Sequence, residues 1–245
     1  MNVYHRSGLP SLKHCFITAI VAVLCVAGFH AISVSFGEPV QTTKTEADKT
    51  ANKENEQLER NQVSVKKSRI YTFVEKTGLG HRHGVEGQLK SGSIDLGLAE
   101  DAGELVFDMT SFDADTDDAR KYLGLDGSTD ASTRDQVNVN MKNTAILNTE
   151  EFPTATFTIM SAKLIVEKNR DGKAEYELAG DFTLKGKKRP LKFLAEVEQK
   201  DGMKHVKGEF SILQTQYGIT PFKKALGAVG VADKLTIHGD LWLAM

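Results

Sequence analysis

Apolar and polar residues alternate with a period of two over most of the chain after about residue 63. The clearest case runs from Ala174 to Leu184. Ala174, Tyr176, Leu178, Gly180, Phe182 and Leu184 take every second place, with Glu175, Glu177, Ala179, Asp181 and Thr183 between them. Such a run makes a strand with one dry face and one wet face. A charged turn, Lys185 to Pro190, follows, and alternation resumes with Leu191, Phe193, Ala195 and Val197, which predicts an antiparallel hairpin. Comparable runs predict strands near 69–76, 83–97, 103–112, 155–168, 173–185, 190–200, 203–213 and 234–244, with turn pairs such as Asp171-Gly172 and Asp201-Gly202 between them. Eight hairpin-linked strands predict an all-β fold, an eight-stranded antiparallel up-and-down barrel with no open edge and room for one small ligand.

The alternation breaks at 113–153. The acids Asp113, Asp115, Asp117 and Asp118 precede Ala119 to Leu125, a short helix with negative charge at its N-terminus, where the helix dipole favours it. Ser132 or Thr133 is placed to cap a second helix through Val137, Met141, Ala145 and Ile146, ending before Glu150 to Pro153. This helical insertion is expected to lie across one end of the barrel. An irregular piece, 217–233, is expected to line the mouth.

The N-terminal part is of another kind. Residues 1–37 carry Arg6 and Lys13 ahead of an apolar run from Cys15 to Phe36, which reads as a cleaved export signal or an uncleaved membrane anchor. Either places the remainder outside the cytoplasm, in the periplasm or secreted, and the anchored form held in the inner membrane by residues 15–36. Residues 38–62 hold hardly any large apolar side chains and read as a disordered polar linker. The barrel domain is expected over 63–245. Net charge is −2 over 245 residues, so no basic field points to nucleic acid. The only cysteines, Cys15 and Cys25, lie in the apolar run, so the rest has neither a disulfide framework nor a thiolate metal site. No Gly-x-Ser-x-Gly elbow, His-Glu-x-x-His helix or phosphate-binding loop occurs, and the chain reads as a non-enzyme.

Several short motifs share one order: Arg134-Asp135, Phe152-Pro153-Thr154-Ala155-Thr156-Phe157, Gly180-Asp181-Phe182-Thr183-Leu184-Lys185-Gly186 before Pro190, Tyr217-Gly218-Ile219, and Val231 to Ile237. Together they resemble the YceI-like family over roughly residues 67–245. The chain departs from the family's commoner pattern at Gly78 to Val85 and in the extra stretch Tyr122 to Ser132. The resemblance implies a lipocalin-like barrel in the periplasm that holds a polyisoprenoid or similar amphiphilic lipid, a quinone included, in an apolar tunnel. It calls for no other cofactor, and leaves a homodimer and membrane proximity open.

In such a barrel the inward face should carry Leu105, Phe107, Met109, Tyr176, Leu178, Phe182, Leu184, Leu191, Phe193, Val197, Phe210, Ile212, Leu235, Ile237, Leu241 and Leu243. These side chains either enclose a ligand or simply fill the centre. Gly180 and Gly239 on that face would leave room. At the polar end the candidates are His81, His83, Arg134 and Tyr217. His81 and His83 share a strand face, so an alternative function is a periplasmic metal- or haem-associated protein, with His205 or His238 as further ligands. Arg134 and Asp135 read either as head-group ligands or as a helix-terminal salt bridge. The turn cluster Lys185, Lys187, Lys188 and Arg189 reads as a solvated face, or as one that meets anionic lipid.

Overall fold

Strands whose apolar residues all point one way bury them by closing the sheet on itself, and the chain does so. The computed structural model describes residues 58–245, so the signal or anchor expected at 1–37 and most of the linker lie outside the described residues. The strands are β1 (Arg69–Gly78), β2 (His83–Ile94), β3 (Gly103–Ala114), β4 (Thr154–Val166), β5 (Ala174–Leu184), β6 (Lys187–Lys200), β7 (Met203–Leu213), β8 (Lys223–Lys224) and β9 (Val229–Ala244). Neighbours pair antiparallel in chain order, β7 pairs with β9, and β9 returns to β1, so eight long strands form a closed barrel. The two-residue β8 is a flap on the start of β9. Two helices, α1 (Asp117–Tyr122) and α2 (Ala131–Lys142), lie between β3 and β4. Among the described residues no helix is long and apolar enough to cross a membrane.

Local chemistry explains most of the differences from expectation. The turn into β6 is only Lys185-Gly186, both left-handed at φ 47° and 68°, a tight hairpin turn whose second place suits glycine. Pro190 therefore sits inside β6, opposite Asp181. It is tolerated because that half of β6 has β5 on one side and no strand on the other, since β6 pairs with β7 only from Ala195 onward. The cap of α2 is Asp130, whose carboxylate accepts the Thr133 N–H at 3.0 Å, two or three residues ahead of the caps expected. That helix stops at Lys142, short of Ala145 and Ile146. The cap of α1 is Thr116, and the helix ends at Tyr122 instead of continuing to Leu125. The chain joins the barrel just before residue 63, where the Asn61 N–H donates to the Ala244 carbonyl at 2.9 Å and Gln62 bridges to Ser93.

The two ends of the barrel are built differently. At the end carrying the chain termini of the domain, Val63, Ile94, Ala102, Ile159, Leu178, Val206 and Leu243 are all at most 2% exposed. At the other end two pairings lapse. The upper half of β3 is unpaired with β4 and is covered by α2, where Asn138 Oδ1 accepts the Ala114 N–H at 2.9 Å and Lys142 Nζ donates to the Thr110 carbonyl at 2.9 Å. The gap between β6 and β7 is met by the turn after β7, with Tyr217 and Ile219 buried.

Candidate functional site

The barrel is neither wholly filled nor wholly hollow. Its helix-covered half holds a cavity of about 550 Å3, within the range of roughly 300–1,000 Å3 usual for small-molecule sites. Eight of the expected inward residues line it: Phe107, Met109, Phe182, Leu184, Phe210, Ile212, Leu235 and Ile237. Leu105, Leu178, Phe193 and Leu241 lie lower and border only a void of about 30 Å3, one water's share of volume at ~30 Å3. Tyr176 and Val197 border neither space. They flank the closed end, opposite Ala195 and Val206. These six are packing, not wall.

Aromatic rings set the floor. Phe107 and Phe210 each stand edge-on to Phe182, with centroids 5.9 and 5.8 Å away. Below them Phe193 packs on Phe210 at 5.0 Å and on Phe157 at 5.7 Å. Each ring brings a large apolar area and a preferred contact geometry. One of the two glycines has a different use from the one expected. A Cβ on Gly180 would overlap the Thr158 carbonyl oxygen, so this glycine serves the close approach of β4 at its bulge and not the cavity. Gly239 does leave room, beside the lower void.

The helix α2 supplies the roof, with Val137 and Met141 as its apolar contribution and Ser132, Thr133, Gln136 and Asn140 as a polar edge. The loop after β7 adds Gln214, Phe222 and Lys224. In the sequence Ser132 and Thr133 stand out only as cap candidates and Lys224 only as part of the segment 217–233, while Gln136, Asn140 and Gln214 look like ordinary helix-surface and loop residues. Val137 and Met141 were visible as the apolar positions of that helix.

At the same mouth stand His81 and His83, with ring centroids 4.4 Å apart. Both reach one carboxylate oxygen of Asp115, His83 Nδ1 at 2.8 Å and His81 Nε2 at 3.3 Å. Asp115 also accepts the Gly84 N–H at 3.1 Å, the Thr129 hydroxyl at 3.0 Å and Arg120 Nη1 at 3.2 Å. Burial pushes this carboxyl up, but the hydrogen bonds from His83, Gly84 and Thr129 outweigh it and hold the group well below the usual carboxylate range. Its side chain is fully buried, and its backbone is left-handed at φ 54°. Sequence reasoning missed Asp115 because it stands among Asp113, Asp117 and Asp118 with no distinguishing neighbour. The donors His81, His83 and Asp115 lie within 4.8 Å of one another, a spacing that admits a metal. The residues fit one poorly. Both carboxylate oxygens already take protein donors, and the Arg120 guanidinium stands at hydrogen-bond distance. As found, the cluster ties the β1–β2 loop to the segment after α1.

The other polar candidates sit elsewhere. Arg134 pairs with Asp113 and donates from Nε to the Ala114 carbonyl at 3.0 Å, fastening α2 to β3 outside the cavity. Tyr217 is buried against Phe182 at 5.8 Å, and burial pushes its hydroxyl up. His205 and His238 do not join the His81 cluster. His205 stacks on Trp242 at 4.1 Å and bonds Asp240 at 2.7 Å, and His238 meets Glu209 at 3.4 Å.

The model of the YceI-like domain matches residues 43–242. No curated protein matches the chain in sequence. Among solved structures, a polyisoprenoid binding domain from Saccharophagus degradans, implicated in plant cell wall breakdown, superposes with a TM-score of 0.52. It shares 15% identity over 76% of this chain and 100% of its own. BcnA of Burkholderia cenocepacia gives 0.48 with 17% identity over 74% and 99%. At such identities the first of these likenesses speaks for the fold.

Proposed function

The chain belongs to the YceI-like family, and we propose that it is a lipid-binding protein that takes the chain of a polyisoprenoid-type or similar amphiphilic lipid into its half-barrel cavity. The observation that carries this reading is the apolar space of about 550 Å3 with an aromatic floor at one end and a polar mouth at the other. A hydrocarbon chain enters tail first and stops at the Phe107–Phe182–Phe210 tier. Its head stays among His81, His83, Gln136 and Asn140. Burying apolar surface contributes about 25 cal/mol per Å2, which offsets the loss of translational freedom without a charged anchor. The polyisoprenoid-binding neighbour in Saccharophagus degradans supports the ligand class. The role is storage or transport of the lipid outside the cytoplasm, as a binding protein and not an enzyme.

Native mass spectrometry of protein purified from its own cells tests this. A mass increment of a lipid is expected, and the bare polypeptide mass under gentle ionisation would refute it. Elemental analysis of the same sample, with His81→Ala and His83→Ala alongside, addresses the metal-associated alternative. That alternative rests on the donor spacing alone, and stoichiometric metal lost with the histidines would favour it.

A further inference from the structure

The mouth carries a feature that a cavity does not require. Leu226 has its side chain fully in solvent and its backbone left-handed at φ 55°, next to Ala225 at φ 51°. A bulky apolar residue rarely adopts that conformation, and such strain persists where the site needs it. Leu79 is 71% exposed on the adjoining β1–β2 loop. The two loops are joined, since the Leu79 N–H donates to the Ala228 carbonyl at 2.8 Å and Leu79 bridges to Val229. The same edge bears exposed Lys223 and Lys224, and Lys76, whose ammonium is held on the Gly80 carbonyl at 3.0 Å. The start of β6 at this end adds exposed Lys187, Lys188 and Arg189, with Lys188 3.7 Å from Asp181. Glu75 stands on this edge too, paired with Arg82 at 3.2 Å, and further exposed acids, Asp117, Asp118, Asp126 and Asp130, belong to the helical insertion. This edge of the rim thus combines two exposed leucines with an excess of cations, Lys76, Arg82, Lys223 and Lys224 against Glu75.

We infer that this side of the rim docks on an anionic phospholipid surface, with Leu79 and Leu226 dipping into the interface and Lys76, Lys223 and Lys224 meeting the head groups. The charge complementarity selects a bilayer over a neutral apolar partner, because exposed leucines flanked by cations are the composition of interfacial anchors. Docking this way turns the mouth of the cavity towards the membrane. The inference goes beyond the ligand reading, because the rim binds a bilayer whether or not the cavity is occupied.

The test uses the full chain with its native Trp242 changed to Phe and a single tryptophan placed either at the rim, Leu226→Trp, or at the far end of the barrel, Ile165→Trp, which is also exposed. Each protein is mixed with vesicles of phosphatidylcholine alone, or with 30% (about one third) phosphatidylglycerol, containing brominated acyl chains. The Leu226→Trp emission is expected to shift to the blue and be quenched only on the anionic vesicles, and Ile165→Trp to stay unquenched. Each cation near the surface is worth about fivefold in partitioning. Adding Lys223→Gln with Lys224→Gln should therefore lower rim binding by about 25-fold, and molar salt should abolish the quenching. Equal quenching at both positions, quenching on neutral vesicles alone, or none on either lipid would overturn the inference. The lipid increment in native mass spectrometry is read separately, so failure of one reading leaves the other standing.

Discussion

The cavity's depth makes a quantitative prediction about ligand length. A space of about 550 Å3 holds roughly eighteen groups of ~30 Å3, the liquid volume of a water and about that of a methylene. Each methylene moved from water into such a space contributes about 0.8 kcal/mol, which is close to fourfold in Kd. Displacement of a fluorescent fatty probe by a series of linear prenols, from about ten to forty carbons, measures this directly. Affinity should climb steeply up to about twenty carbons and then flatten, because the rings of Phe107, Phe182 and Phe210 stop the chain. The steep part has an upper limit of about 4 kcal/mol per five-carbon unit. A slope that persists unchanged to forty carbons would refute the one-ended cavity, and an affinity indifferent to length would refute binding of the tail inside it.

Three further outcomes follow from named contacts. Ala155 is buried on the cavity wall, so Ala155→Phe should move the break in the prenol series to shorter chains by about six carbons, at a stability cost of no more than about 1–3 kcal/mol. Asp115→Asn leaves the Arg120 guanidinium short of its buried counter-charge and should cost about 3 kcal/mol in urea unfolding. For a domain of this size that is roughly 6–12 °C in Tm. Because the folded-state pKa of Asp115 is depressed, its stabilisation is present above the unfolded value of about 3.9 and is lost as pH falls through the folded one. The wild type should therefore lose more stability than Asp115→Asn below about pH 4, and parallel pH profiles would contradict that. Gly180→Ala forces a Cβ onto the Thr158 carbonyl and should destabilise by about 1–3 kcal/mol, as read by urea denaturation.

The strand pattern was legible because facing in or out is a local property. Leu178, Phe182 and Leu184 alternate with the outward Ala179, Asp181 and Thr183, and all three point inward. The helical break at 113–153 was legible for the same reason, although its caps shifted by a few residues. Where the hollow lies was not legible. Leu178 and Leu184 look alike along β5, yet one packs on the floor and the other lines the cavity. The difference is made by rings on other strands, Phe193 from β6 and Phe210 from β7, which meet only when the barrel closes. The glycine at 180 showed the same gap, since its missing side chain answers a backbone on β4.

The histidine pair illustrates the division most sharply. That His81 and His83 stand two residues apart is written in the chain, and so is their capacity to act together. Their partner Asp115 lies 32 residues beyond His83, at the end of β3, where the β2–β3 pairing brings it alongside Gly84. Alternation of side chains along one strand determines which residues turn inward. Which of them touch, and how much space they leave, depends on side chains brought together across strands, and that only closure of the barrel decides.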